Sequence, residues 1–307
     1  MSSWPEPLAR AYAACESLAQ SHYENFPVAS RLLPARMRPH VAAVYAFARI
    51  ADDFADEGDA PAAERQARLR AWQARLHRAA SSPAADPDRT APGSGEPEQD
   101  EHDLLFLAIG HTIRSCRLPV ALFDDLLSAF GQDTMTTRYD SWSEVLDYCR
   151  RSANPVGRLV LRIAGAASDE LDRSSDALCT ALQLTNFWQD FGRDWRAGRL
   201  YVPRAVLAAE GAREDELGPG RLPDAWAHAI AACVEYTRRL FHDGRLVCDG
   251  VTGRLRFELR LTWLGASRIL DRVEAGRFEL MQVRPVLGPG DVAPLVWQAA
   301  RWRGVAA

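Results

Sequence analysis

The chain contains no lysine; all 37 of its basic residues are arginine. A compositional bias spread over the whole chain says nothing about any one site, although guanidinium groups suit planar phosphate recognition. Positive charge is not in excess either. The net charge of -4 gives no means of neutralising a phosphate backbone, so no nucleic-acid partner is expected. The six cysteines (Cys15, Cys116, Cys149, Cys179, Cys233 and Cys248) include no C-x-x-C pair and read as reduced thiols of a cytosolic protein. No basic stretch followed by an apolar run opens the chain, and no segment approaches ~18 uninterrupted apolar residues, so neither a signal peptide nor a transmembrane helix is expected. The seven histidines form no H-E-x-x-H, which argues against zinc, and the Walker and dinucleotide glycine motifs are absent. Alternating β-branched runs and Asn-Gly hairpin turns are missing too, which excludes a sheet protein.

What remains is helical periodicity. Helices are expected near 6–21, 36–57, 61–80, 100–116, 119–132, 141–167, 170–195, 223–248, 253–278 and 290–303, with Pro155 kinking or dividing the 141–167 segment. The stretch 81–99, rich in Pro, Gly, Ser and acid, reads as a flexible surface loop inside a single domain spanning 1–307. Glu210 to Pro223 reads as a second non-helical stretch.

Two segments carry chemistry. In Val44–Asp56, positions 45, 49, 52 and 56 fall within roughly 60° of one another on a helix. One face thus bears Tyr45, Arg49, Asp52 and Asp56, with the two carboxylates about 6 Å apart along the axis. In Gln183–Asp194, Gln183, Asn186, Asp190 and Asp194 make a second stripe, interleaved with Phe187, Trp188 and Phe191. Spacing alone is weak evidence, since the 24 aspartates produce a third such pair, Asp172 and Asp176, in a polar stretch that reads as a solvated helix start. The first two pairs differ because apolar residues surround them, and carboxylates facing a core need compensating charge. Oxygen ligands without His or Cys favour a hard cation, and Mg²⁺ takes one or two carboxylates together with water and phosphate oxygens. Two facing helices could each supply a partial shell, with a diphosphate between them. Pattern alone leaves the bland reading open as well: salt-bridged surface helices.

The motifs A-R-I-A-D-D-F-A-D at 48–56, Y-C-R-R-S-A-N-P-V-G at 148–157, Q-L-T-N-F-W-Q-D-F-G-R-D at 183–194 and G-R-L-Y-V-P at 198–203 resemble those of the squalene/phytoene synthase family. The resemblance runs from about His22 to Arg284. It implies an all-α, single-domain isoprenoid-synthase helical fold around a central cavity. It implies that Asp52, Asp56, Asp190 and Asp194 bind Mg²⁺ with Gln183 and Asn186 beside them, that Arg49 contacts diphosphate, and that Tyr45 and Tyr148 belong to the active site. H-Y-E-N-F-P-V-A-S at 22–30, S-A-N-P-V-G-R at 152–158 and R-L-T-W-L-G-A-S-R-I-L-D at 260–271 are similar to the bacterial hydroxysqualene synthases of hopanoid biosynthesis. That implies presqualene diphosphate as substrate and water, without NADPH, as the group that quenches the rearranged cation.

Three positions depart from the wider family: Gln189, Asn154-Pro155, and Gly265-Ala266-Ser267. All three fit a pocket remodelled for one preformed substrate and a water. On this reading Arg199 assists Arg49, and Tyr45, Phe26 and Phe187 are candidates for cation–π stabilisation, with plain core packing as the alternative for each. Tyr148 would position a proton or the water. Asn154 would orient that water, or cap the helix break at Pro155. Squalene, presqualene diphosphate and phytoene synthesis are alternatives on the same fold, and a non-catalytic assembly or binding protein is an alternative of another class. The implied location is cytoplasmic. Peripheral contact with the inner membrane and substrate transfer with neighbouring pathway enzymes are left open.

Overall fold

The computed structural model describes residues 4–21, 32–56, 60–82 and 97–302, with no side-chain description at 97–101. Among them there are helices and connections and no strand. None of the described helices is long and apolar enough to cross a membrane. The backbone groups into two compact units: Met1–Met135 with Leu159–Ala167, and Thr136–Arg158 with Ser168–Ala307.

The first unit holds α1 (Glu6–Ser21), α2 (Arg38–Asp56), α3 (Ala62–Ser81), α4 (Pro97–Cys116) and α5 (Val120–Asp133). Helix α2 packs against the other four. Its alanines 43, 46 and 51 are fully buried and let neighbouring helices approach, while Phe47 fills the centre. The Phe47 ring meets Phe123 at 5.4 Å, Trp72 at 5.8 Å and Phe106 at 6.3 Å. Truncating such a ring to alanine costs about 3–5 kcal/mol.

The chain then runs through α6 (Trp142–Ser152) and α7 (Asn154–Ala164). The expected division at Pro155 is present: α6 ends at Ser152 with Ala153 as its C-cap, and Pro155 sits in the first turn of α7, where its missing N–H costs nothing.

The second unit is built around α8 (Asp169–Gln189), followed by α9 (Phe191–Arg196), α10 (Arg204–Glu210), α11 (Asp224–Asp243), α12 (Val247–Gly250), α13 (Gly253–Ala275) and α14 (Pro289–Ala300). Ser168 caps α8 by accepting from the Leu171 N–H at 3.2 Å, and Asp169, Glu170 and Asp172 complement its positive end. Helix α8 packs on α11, α13 and α6. A Cβ at Gly244 would lie 2.5 Å from the Leu178 backbone nitrogen, so only glycine allows the chain after α11 to cross α8 there.

Several boundaries differ from expectation. Helix α3 runs to Ser81 and α4 starts at Pro97, so the two ends of the expected loop are helical; residues 83–96 lie outside the described ones. Helix α10 was not anticipated; it is seven residues long, too short to show a period. The 170–195 segment divides at Asp190 and the 223–248 segment at Gly244. The third aspartate pair does lie at a helix start whose residues 168–170 are exposed, but the pair itself is not solvated. Asp172 is buried, and Asp176 takes two hydrogen bonds from Arg158 at 2.9 and 2.5 Å.

Candidate active site

In the first unit, the stripe on α2 is half-buried at Tyr45, Arg49 and Asp52 and becomes exposed at Asp56. The expectation that both carboxylates face a core therefore fails for Asp56, which ends the helix. Arg49 pairs more closely with Asp53, which is not in the stripe, than with Asp52. Its Nη2 lies 2.5 Å from Asp53 Oδ1, against 3.7 Å from Nη1 to Asp52 Oδ2. Three carboxylates thus crowd the negative end of a helix whose last turn has no basic residue, an arrangement that calls for positive charge. Arg65 meets part of that demand by donating to the Ala55 and Ala60 carbonyls at 2.8 and 2.9 Å.

In the second unit, Gln183, Asn186 and Asp190 are half-buried, while Leu184, Phe187, Trp188 and Gln189 around them are buried. Although α8 ends at Gln189, the stripe survives the break. Asp190 N–H donates to Asn186 O at 2.8 Å, and Asp194 N–H donates to Asp190 O at 2.9 Å, which keeps the helical register. The break is packed against the segment 280–285. A Cβ at Gly192 would fall 2.6 Å from the Leu280 carbonyl oxygen, so the glycine of F-G-R-D is what admits that segment. Gln189 Nε2 donates to the Pro285 carbonyl at 2.6 Å and Arg196 to the Met281 carbonyl at 2.9 Å. This gives the departure at Gln189 a physical role. The anchored segment delivers Arg284, which donates through Nε and Nη2 to both oxygens of Asp190. Arg284 was not among the residues expected from the sequence; it lies 94 positions away and in no motif.

Asp194 has Arg199 Nε 4.0 Å from its Oδ1, and its carbonyl accepts from the Arg199 N–H at 2.7 Å. Residues 200–204 pair with 137–140, since Leu200 N–H donates to Thr137 O and Arg204 N–H to Tyr139 O. That pairing seats Tyr201 against Phe187, with ring centroids 3.7 Å apart and planes 2° from parallel. Tyr148 lies 6.1 Å from Phe187 and 6.3 Å from Tyr201, and Tyr139 completes the group. Phe187 and Tyr148 are buried, so both take part in packing. Tyr201, like Tyr139, was missed because no spacing rule joins residues 139, 148, 187 and 201. Asn154 opens α7 in a buried position and its Oδ1 accepts from the Thr180 hydroxyl at 2.9 Å. Phe26 lies outside the described residues.

All six cysteines are free thiols. Burial pushes Cys179 up to about 11 and Cys15 and Cys248 up to about 12, so they stay neutral and make poor metal ligands. Among the described residues, no three His, Cys, Asp or Glu side chains cluster as a ready-made metal site. The available donors are carboxylate and amide oxygens, which suit a hard cation that retains water and substrate oxygens. The carboxylates already attract positive charge: guanidinium groups occupy Asp190 and the Asp52–Asp53 pair.

An all-helical chain with two aspartate-bearing helical stripes has the features of the isoprenoid-synthase class. The sequence model of the squalene/phytoene synthase family matches residues 19–291, and the chain belongs to that family, whose members act on prenyl diphosphates. It is 34% identical over 249 residues to a hydroxysqualene synthase of Rhodopseudomonas palustris, covering 80% of this chain and 78% of the relative. It is 33% identical over 258 residues to the hydroxysqualene synthase of Sinorhizobium fredii, covering 83% and 81%. Among solved structures, squalene synthase HpnC from Alicyclobacillus acidocaldarius superposes with a TM-score of 0.77 at 39% identity, covering 89% of this chain and 96% of that one. A dehydrosqualene synthase in complex with ligand has a TM-score of 0.80 at 20% identity, covering 97% and 99%, a likeness of fold.

Proposed function

We propose that this chain is a hydroxysqualene synthase, which ionises presqualene diphosphate with Mg²⁺ and captures the rearranged cation with water, releasing hydroxysqualene and diphosphate. The observation that carries the reading is the half-open stripe of Gln183, Asn186, Asp190 and Asp194, kept in register across a helix break. Relatives of that name covering about four-fifths of the chain support the choice within the family.

Asp52, Asp56, Asp190 and Asp194 are the groups that would hold Mg²⁺. When bound, the metal supplies Lewis-acid charge that stabilises the diphosphate as it departs. The side chains of Arg49, Arg199 and Arg284 bind phosphate oxygens by charge-assisted hydrogen bonds. The Tyr148, Phe187 and Tyr201 rings present an aromatic surface that stabilises positive charge by about 0.5–2 kcal/mol per ring. Thr180 engages Asn154 Oδ1, which leaves the amide NH₂ of Asn154 to hold a water oxygen. With water as the capturing group, no hydride donor such as NADPH is required. The test is product mass from purified protein and Mg²⁺, given presqualene diphosphate or farnesyl diphosphate, with and without NADPH. An alcohol from presqualene diphosphate alone is expected; phytoene, squalene or no product would reject the reading.

Such a substrate partitions into the bilayer, and the second unit carries a face suited to meeting one. Val283, Val286, Leu287, Val292, Val296 and Trp297 are exposed, Trp297 at 58%. Asp291 is the one carboxylate between 283 and 302, and Arg272 binds it at 2.7 and 2.9 Å. Arg301 lies 4.7 Å over the Trp297 ring. A tryptophan backed by arginine on an acid-poor apolar face matches the chemistry of an anionic membrane surface. A peripheral contact at the inner membrane through α14 is therefore part of this reading.

A further inference from the structure

The first unit has an open depression of about 490 Å³ lined by Arg36, His40, Ser115, Cys116, Arg117 and Arg162, closed by the turn at Ile163–Gly165. Among the described residues, no carboxylate lines it. Neither Arg36 nor Arg117 makes an ion pair among the described residues. The Cys116 thiol is pushed up by burial and adds no negative charge.

Two helices end at the rim, and they end in the same way. After α7, Ala166 N–H donates to Leu161 O at 2.9 Å across Gly165, whose φ is +72°. After α4, Leu118 N–H donates to Ile113 O at 2.9 Å across Arg117, whose φ is +53°. Glycine takes this left-handed position without strain, and α7 uses it. Arginine does not, and Arg117 is the one non-glycine with positive φ among the described residues. The strained residue is therefore the one that brings a guanidinium to the depression. Backbone strain of this kind gathers at binding sites.

Arginines at helix C-termini also serve to offset the helix dipole. Two C-termini contribute roughly one negative charge between them. Arg36 and Arg117 alone exceed that, so among the described residues the depression keeps net positive charge. We propose that the depression formed by Arg36, Arg117 and Arg162 binds a phosphate- or diphosphate-type anion, independently of Mg²⁺ and of the aspartate stripes. The anion comes from free diphosphate or from a phosphate monoester lipid headgroup.

The experiment uses the full chain in EDTA. Inorganic diphosphate is titrated by calorimetry and thermal shift, and retention is measured on phosphatidylcholine vesicles with and without phosphatidate. Arg117→Gly and Arg36→Gln are compared with the parent. Arg117→Gly should raise the ligand-free Tm by about 1–3 °C, because the strain is relieved. It should also weaken anion binding roughly tenfold or more, because a charge-assisted contact is lost. Arg36→Gln should weaken binding with little change in ligand-free Tm. Arg117-dependent heat with soluble diphosphate identifies the free anion as ligand; Arg117-dependent retention on phosphatidate vesicles alone identifies the headgroup. If neither arm binds, or if both variants bind as the parent does, the proposal is overturned.

Discussion

Arg284 clasps the Asp190 carboxylate across 94 residues of sequence, with Nη2 3.2 Å from Oδ2 and Nε bonded to the other oxygen. The guanidinium is about a quarter exposed and the carboxylate 14%, so the pair sits where neither charge is well hydrated. A cation has to leave Asp190 before another can take its place.

Arg284→Gln removes that competitor. The Mg²⁺ midpoint in a thermal-shift titration should fall roughly fivefold, the equivalent of about 1 kcal/mol. Arg284→Lys, which keeps the charge, should stay near the parent. An unchanged midpoint in the glutamine variant would separate Asp190 from metal binding.

Asp52→Ala and Asp190→Ala should each lower turnover by roughly a thousandfold or more while the helical circular-dichroism signal is retained. Near-normal turnover in either variant would remove that residue from the proposed metal ligands.

Asn154→Ala should shift products away from the alcohol. Thr180→Val leaves the Asn154 oxygen buried without its donor and should cost about 1–3 kcal/mol of stability by denaturant titration. It should also shift product ratios in the same direction, because the amide loses its orientation. Product ratios that do not move in either variant would leave Asn154 with only its structural tie.

The first unit should be acid-sensitive. The Tyr12 hydroxyl lies 2.7 Å from His111 Nδ1, 3.1 Å from His40 Nδ1 and 2.9 Å from Thr112 Oγ1, beneath the Trp4 ring. Burial, helped by His111 for His40 and by Arg114 for His111, holds both imidazoles below their ordinary value. A depressed histidine leaves the folded chain with fewer protons than the unfolded one, so stability is whole above about pH 6.5 and is lost as pH falls through that value. Tm measured from pH 7.5 down to 5 should drop, and His40→Gln with His111→Gln should flatten the slope.

Trp297→Ala should weaken retention on anionic vesicles about tenfold without changing turnover of detergent-solubilised substrate. Equal retention would rule out α14 as the membrane-facing element.

Most helices could be read from the sequence because their period is local. Helix α1 was placed at its observed bounds, and Pro155 announced the division between α6 and α7. The α8–α9 stripe was equally readable, since Gln183, Asn186, Asp190 and Asp194 repeat at helical spacing and backbone hydrogen bonds carry that spacing through the break. Phe26 gave no such outcome, as it falls outside the described residues.

The sequence by itself determined an all-helical chain, its family motifs and the faces on which the aspartates lie, because each depends on residues three or four apart. The partners of those aspartates were decided only by tertiary structure. Arg284 reaches Asp190 because Gly192 admits the 280–285 segment and Gln189 ties it down, while Tyr201 meets Phe187 because residues 137–140 hold the strand-like stretch after Arg199. These contacts join distant positions through close packing and buried hydrogen bonds, and no local period encodes such a meeting.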